Sequence, residues 1–239
     1  MEGLFRRFDA VLAEQGYLAM GGQIIDATLI AAPRQKLTLE EKATICEGST
    51  PEHWSKAKRA QKDQDARWTL KRGRSKPKPE GHRRQAIQIA VPVFGYKSHI
   101  GIDRRHGLIR RWTVIDAAQH DSRSFPALLD PGNTASRVWA ATAYRTKRNL
   151  EVQERRGLSE RLQFRRPPRR QLSEPQAKAN ASRARIRSGI EHVFATQKHR
   201  MALFVRTIGL ARAQVKIGMA NLAYNFTRLA WLSTRAAPA

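Results

Sequence analysis

The chain has 239 residues, 41% of them hydrophobic, which supplies apolar material for one substantial core. Lys and Arg number 45 against 20 Asp and Glu, and the resulting charge of +25 favours a polyanionic partner, because neutralised phosphates release counterions. The single cysteine, Cys46, excludes an internal disulfide and a thiolate zinc cluster, and no run reaches the roughly twenty apolar residues of a membrane span. We therefore expect a soluble, cytoplasmic protein that does not bind membranes.

The N-terminal part predicts a helix followed by a strand. Apolar residues recur at helical spacing over residues 3–15, and Gly16 then ends the helix. Residues 23–30 form an apolar, β-branched run that a single carboxylate, Asp26, interrupts. Because an unpaired buried carboxylate is costly, Asp26 either faces solvent at a sheet edge or meets a cation.

Residues 32–92 are charged and poor in aromatic side chains, and they contain five prolines. A capping box of Thr38 and Glu41 predicts one short helix, and Thr50-Pro51 predicts another. Residues 56–84 carry twelve Lys or Arg and three acidic residues. We expect a mobile basic insertion that is either a solvated linker or a DNA-contacting arm.

The rest of the chain predicts alternating strands and helices. Strict alternation from residue 93 predicts an antiparallel hairpin that turns at His106-Gly107. The hairpin is followed by a helix from Asp121 or Ser122 to residue 129 and by a strand at 138–140. A helix that begins at Thr146 and a strand at 162–164 come next. The chain ends with a long helix from Ser173 past residue 198 and a last helix over residues 213–232. This order predicts an α/β fold with a mixed sheet and helices on both faces.

Arg187, Glu191 and Lys198 are offset by four and eleven residues, which confines them to an arc of about 40° on one helix. They form a polar stripe beside an apolar stripe, so Glu191 should lie at the edge of the core. The stripe is either an ordinary ion pair between residues four apart or part of a functional site.

Six segments, taken together, resemble the landmarks of DDE transposases of bacterial insertion sequences, most closely the group conventionally numbered five. They occur in the family's order over about residues 1–235: Gly-Gly-Gln-Ile-Ile-Asp-Ala-Thr, Lys-Asp-Gln-Asp-Ala-Arg-Trp-Thr, Phe-Gly-Tyr-Lys-Ser-His, Ala-Ala-Gln-His-Asp-Ser, Val-Trp-Ala-Ala-Thr-Ala-Tyr-Arg and Ile-Glu-His-Val-Phe-Ala. The resemblance implies an RNase-H-like domain that cleaves and joins double-stranded DNA at element ends and target sites. It also implies a homo-oligomer on DNA, association with the bacterial nucleoid, and two Asp and one Glu that hold Mg²⁺ or Mn²⁺.

Carried over to this chain, the resemblance assigns Asp26 and Glu191 as catalytic metal ligands. It assigns Arg187 and Lys198 as contacts to DNA phosphate. We also expect Tyr144 and Arg145, which lie just past the predicted strand at 138–140, to contact DNA.

The chain departs from the family pattern at three places. The second catalytic Asp is expected at residue 141, where this chain has Ala141, and a methyl group cannot coordinate magnesium. Asp121 is the nearest substitute by sequence, although it is more simply explained as a helix cap. Ala184 replaces a Tyr of the family signature. Residues 1–20 are expected to be a remnant of a longer N-terminal helical region before a transposase domain at 21–235.

Three functions therefore remain open. The first is a DNA transposase in which Ala141, in place of an Asp, lowers the rate of strand cleavage and transfer by several orders of magnitude. The second is a DNA-binding remnant that regulates or inhibits transposition without chemistry of its own. The third, a basic RNA-binding protein, explains the charge but not Asp26 or the polar stripe.

Overall fold

A computed structural model describes residues 1–74 and 88–236 of the chain. The helices are α1 Glu2–Glu14, α2 Leu39–Cys46, α3 Lys56–Gln61, α4 Phe125–Leu128, α5 Lys147–Arg155, α6 Glu174–Arg187, α7 Glu191–Ala195 and α8 Leu210–Ala236. The strands are β1 Gln23–Ala31, β2 Arg67–Arg74, β3 Gln88–Asp103, β4 Ile109–Asp116, β5 Arg137–Ala140 and β6 Ser159–Leu162.

The six strands form one mixed sheet in the order β2-β3-β1-β5-β6, and β4 pairs with the second half of β3. Strand β1 is antiparallel to β3 and parallel to β5, which is in turn parallel to β6. The predicted mixed sheet and the hairpin of β3 and β4 are confirmed. The last strand, β6, ends at residue 162, where the sequence predicted that it begins.

Successive residues of β1 pack into different layers, because side chains alternate across a strand. Ile24 belongs to a buried cluster with Ile190 and Phe194 from the C-terminal helical region. Ile25 belongs to a second cluster with Phe125 and Leu128 of α4. The sheet is therefore covered by helices on both faces, as the sequence predicted.

Part of the segment expected to be a basic insertion, residues 32–92, belongs to the sheet. Thr38 and Glu41 form the predicted capping box at the start of α2, with Thr38 Oγ1 accepting from the Glu41 N–H at 3.1 Å. Residues 67–74 form β2, which pairs with β3 from residue 88 onward. The centre of the predicted insertion, residues 75–87, lies outside the described residues.

Gly95 lies where β3 changes partners from β2 to β4. Its φ is +152°, and a Cβ atom built there would collide with the carbonyl oxygen of Ile30 on β1. Only glycine allows this close approach of two backbones. At this residue β3 stays paired with β1 on one edge, while its partner on the other edge changes from β2 to β4.

The single long helix predicted from Ser173 past residue 198 is interrupted. Helix α6 ends at Arg187, a 3₁₀ turn covers Ser188–Ile190, and a π-helical turn at Thr196–Arg200 follows α7. Ser188 and Gly189 have low helix propensity, which explains the break after α6. Among the described helices, none combines the length and the apolar character needed to cross a bilayer.

Candidate active site

Asp26 and residue 141 follow directly on the last residues that pair between two parallel strands. Ile25 of β1 is the Cα partner of Ala140 of β5, and Asp26 and Ala141 are the next residues of the two chains. Neighbouring strands lie about 4.8 Å apart, which is the approximate separation of the two backbones at the last pair. Ala141 is also the residue that begins the 3₁₀ turn Thr142–Tyr144.

Glu191 is linked to Asp26 by Arg187, which contacts both carboxylates. The Arg187 guanidinium contacts Asp26 Oδ2, and its Nη1 lies 3.3 Å from Glu191 Oε1. Glu191 is the first residue of α7, and its side chain is 58% exposed, whereas that of Asp26 is 14% exposed. One arginine therefore bridges the two carboxylates that are present, and Ala141 follows the strand β5 that pairs with β1.

The electrostatic setting of Asp26 is a balance of opposing effects. Burial raises the pKa of its carboxyl, while the positive charge of Arg187 lowers it. The Ala27 N–H donates to Asp26 Oδ1 at 2.8 Å and also favours the charged form, whereas the nearby Glu191 disfavours it. Burial prevails, so the Asp26 pKa lies above its ordinary value even with Arg187 bound to it.

Lys198, in the π-helical turn that follows α7, is half-buried. Burial lowers the pKa of its ammonium, Lys71 lowers it further, and Glu191 raises it. Because the charge of Lys71 affects the Lys198 pKa, Lys71 of the edge strand β2 lies in the neighbourhood of Lys198. The sequence did not indicate Lys71, because its proximity depends on the pairing of β2 with β3.

Tyr144 requires a correction. Its side chain is fully buried, and its hydroxyl lies 2.9 Å from His99 Nδ1. Burial raises the Tyr144 pKa well above its usual range, and Asp26 and Asp121 raise it further. A side chain so enclosed has no face to present to DNA, so the predicted contact is wrong for this conformation. The Tyr144 hydroxyl instead forms a hydrogen bond with the buried His99.

His99 alternates with the apolar residues of β3, a pattern typical of a solvent-facing side chain, yet it is completely buried, because helices cover both faces of the sheet. Burial lowers the His99 pKa to about 4, and the negative charge of Asp121 partly opposes this. The imidazole is therefore neutral at pH 7. No local sequence signal distinguishes it from a solvent-exposed strand histidine.

Asp121 does not occupy the place of the missing carboxylate. Its Oδ1 is 2.9 Å from Lys97 Nζ, so it is already paired with a cation. It is also not the helix cap that the sequence suggested, because the ring of His120 accepts the N–H of Ser122 there at 3.3 Å. Asp121 contributes negative charge near Tyr144 and His99.

Arg145 lies past the end of β5, as expected, and is held by neighbours. Its guanidinium contacts Glu160 and lies 4.5 Å from the centre of the Phe164 ring. Arg183 approaches the same ring and lies 3.5 Å from the same Glu160 carboxylate. Two guanidinium groups around one carboxylate leave a net positive charge at this edge of the sheet, which suits a phosphate.

Comparison with known proteins identifies the family. Residues 18–226 match the family model described as Transposase DDE domain, and the chain belongs to this family of insertion-sequence transposases. It is similar to a protein named "Transposase for insertion sequence element IS1106" of Neisseria meningitidis serogroup B, with 25% identity over 213 residues. The aligned region covers 87% of this chain and 64% of that relative's length. No solved structure matches the chain.

Members of this family generally depend on divalent metal ions. The residues present do not fit such a site. Arg187 contacts the carboxylates of both Asp26 and Glu191, and the third expected ligand is the methyl group of Ala141. In the described parts of the chain, no group of three His, Cys, Asp or Glu side chains is arranged to hold a metal ion. Mg²⁺ usually requires oxygen ligands in nearly octahedral geometry, and this set cannot provide them alone.

Proposed function

We propose that this chain is an RNase-H-like transposase domain that binds double-stranded DNA but cleaves and joins strands poorly. The observation that carries the proposal is that Arg187 contacts both Asp26 and Glu191, while Asp26 and Ala141 directly follow Ile25 and Ala140, the last pair between the parallel strands β1 and β5. This arrangement supports the acidic pocket that the family resemblance predicts. One wall of that pocket is a methyl group.

The DNA-binding part of the proposal follows from charge. Lys198 and Lys71 lie close enough to influence each other's charge, and Arg145 and Arg183 share the Glu160 carboxylate, within a chain of net charge +25. Transposases act on DNA, and Arg187 can transfer from the carboxylates to a phosphate when DNA approaches. Assembly of several copies on DNA and association with the nucleoid belong to the same proposal.

The direct test restores the missing oxygens. Ala141→Asp should increase nicking of supercoiled plasmid DNA in the presence of Mg²⁺ or Mn²⁺ by on the order of 10²-fold or more over the unmodified chain. Ala141→Asn is the matched control, because it has nearly the same shape without the charge. Adding Asp26→Asn to the Ala141→Asp variant should abolish the gain. Equal nicking by all these variants would contradict the assignment of the site.

A second function is favoured by the bridging position of Arg187. A pocket whose carboxylates are held by an internal cation can serve a protein that occupies DNA without cutting it, and such a protein would inhibit an active transposase. Co-expression with an active transposase of the same element should then reduce transposition. No reduction, with DNA binding intact, would remove the regulatory function and leave an impaired enzyme.

A further inference from the structure

A second cavity lies on the Asp26 side of the sheet and is built differently from the acidic site. It has a volume of about 450 Å³, within the roughly 300–1,000 Å³ range of ligand sites. Its floor is apolar, formed by Ile24, Ile102, Ile186 and the ring of Tyr224. Its rim is basic and consists of Arg104, Arg185, His192 and Arg228.

The charges at this rim are not neutralised within the fold. Among the described residues, none of the three rim arginines forms an ion pair with a carboxylate. Arg228 donates from Nε to the His106 carbonyl at 2.7 Å, and Arg104 lies 5.1 Å from the centre of the Trp139 ring. Both contacts orient a guanidinium group without cancelling its charge.

The cavity also contains one carboxylate, that of Asp103, which is fully buried. It accepts the N–H groups of His106 and Leu108 at 2.6 and 3.2 Å and lies 3.2 Å from Arg110 Nε. Its oxygens are thus already engaged within the β3–β4 turn, and Arg110 balances its charge. The field inside the cavity remains positive.

The position of the cavity relates it to the acidic site. Ile24 lines the cavity, and Asp26 follows two residues later on the same face of β1, about 7 Å away. Arg185 lines the cavity, while Arg187 contacts Asp26. Since the axial rise of a DNA strand is about 3.4 Å per nucleotide and successive phosphates lie farther apart than this rise, a strand that passes Asp26 can reach the cavity with a phosphate about one or two nucleotides away.

We propose that this cavity binds a phosphate group of a DNA strand, about one or two nucleotides from the position that faces Asp26. The inference rests on the proposed DNA-binding function and names a contact that fixes the register of the strand. Planar guanidinium groups match phosphate oxygens in pairs, which suits a rim made of arginines. The apolar floor accommodates the adjoining sugar.

The test measures binding of a fluorescein-labelled 20-base-pair duplex by anisotropy, in EDTA and over a series of KCl concentrations. The charge variant is Arg104→Gln/Arg185→Gln, which leaves Arg228 to support the β3–β4 turn. Its control is Arg148→Gln/Arg155→Gln on α5, which removes two charges from exposed positions. The cavity variant should lose about 10- to 100-fold in affinity, and its salt slope should fall by about one. The control should lose clearly less.

A second variant fills the cavity without changing charge. A Cβ atom at Gly189 would meet only the Cδ1 of Ile24 at 3.9 Å, so Gly189→Gln should fold and obstruct the space. Gly3→Gln on α1 is its control, because nothing lies within 4 Å of a Cβ there. Gly189→Gln should weaken DNA binding like the charge variant, and Gly3→Gln should not. Circular dichroism checks that both variants are folded.

The possible failures are distinguishable. If the unmodified chain does not bind DNA, the proposed function fails and the cavity proposal fails with it. If it binds DNA and both cavity variants match their controls, only the cavity proposal fails. Inorganic phosphate at matched ionic strength tests the other source of the same chemistry. A rise in Tm that Gly189→Gln abolishes, together with unchanged DNA affinity, would assign the cavity to free phosphate and overturn the proposal.

Discussion

Removing the Arg187 guanidinium should reveal how much of the fold's stability depends on one bridging cation. The Asp26 and Arg187 side chains are 14% and 21% exposed, so the pair is mostly shielded from water. Loss of one partner from a buried pair costs about 3–5 kcal/mol, and partial exposure reduces this. We expect Arg187→Gln, which keeps much of the side-chain volume, to lower the free energy of unfolding by about 2–3 kcal/mol at pH 7.

The assay is urea unfolding followed by circular dichroism, arranged as a double-mutant cycle with Asp26→Asn. In the Asp26→Asn background, Arg187→Gln should cost at least about 1.5 kcal/mol less than in the unmodified chain. Glu191→Gln is the control, since the Glu191 side chain is mostly exposed and its pair with Arg187 should contribute less than about 1 kcal/mol. Additive costs for Asp26 and Arg187 would refute the bridging role.

The pH dependence gives the same experiment a second readout. Burial already raises the Asp26 pKa, and loss of Arg187 should raise it further. A carboxyl whose folded-state pKa is raised prefers its protonated form in the fold, so lowering the pH favours folding at this group. The cost of Arg187→Gln should therefore shrink as the pH falls from 7 toward 5. A cost that does not change with pH would indicate lost packing instead of a lost ion pair.

Three further predictions concern buried and backbone positions. The His99 pKa is lowered from 6.5 to about 4, so the unfolded chain binds the additional proton and stability should fall by about 3 kcal/mol between pH 6.5 and 4; His99→Gln should flatten that profile in urea unfolding. Gly95→Ala should lower stability by about 2 kcal/mol or more, because its Cβ would collide with Ile30, whereas Gly3→Ala should not; equal Tm values would contradict this. Thr38→Ala should cost about 1 kcal/mol through the lost α2 cap, and an unchanged Tm would mean that α2 does not unfold with the core.

The sequence predicted those parts of the fold whose signals are local. The capping box of Thr38 and Glu41, the alternating hairpin of β3 and β4, and the apolar strand around Asp26 each depend on neighbouring residues, and each is present. Strand β2 was missed because its basic, polar composition is typical of a linker, and only pairing with β3 makes it a strand.

The candidate site also has features that the sequence predicted and features that depend on the tertiary fold. Asp26, Ala141 and Glu191 were indicated by motifs in the family's order, and in the fold Arg187 contacts both Asp26 and Glu191. The burial of Tyr144 could not be predicted, because it depends on helices that cover the face of the sheet on which His99 lies. The basic cavity was also invisible in the sequence, since its arginines come from three separate regions of the chain.

Strand β3 has a mechanical consequence for any DNA held near the edge strand. It is 16 residues long, about 50 Å, and pairs with β2 near its start and with β1 near its end. A pull on β2 is therefore carried along one continuous backbone to the ladder hydrogen bonds beside Asp26. Tension in a bound nucleic acid would reach the surroundings of Asp26 along the backbone of this strand, through Gly95.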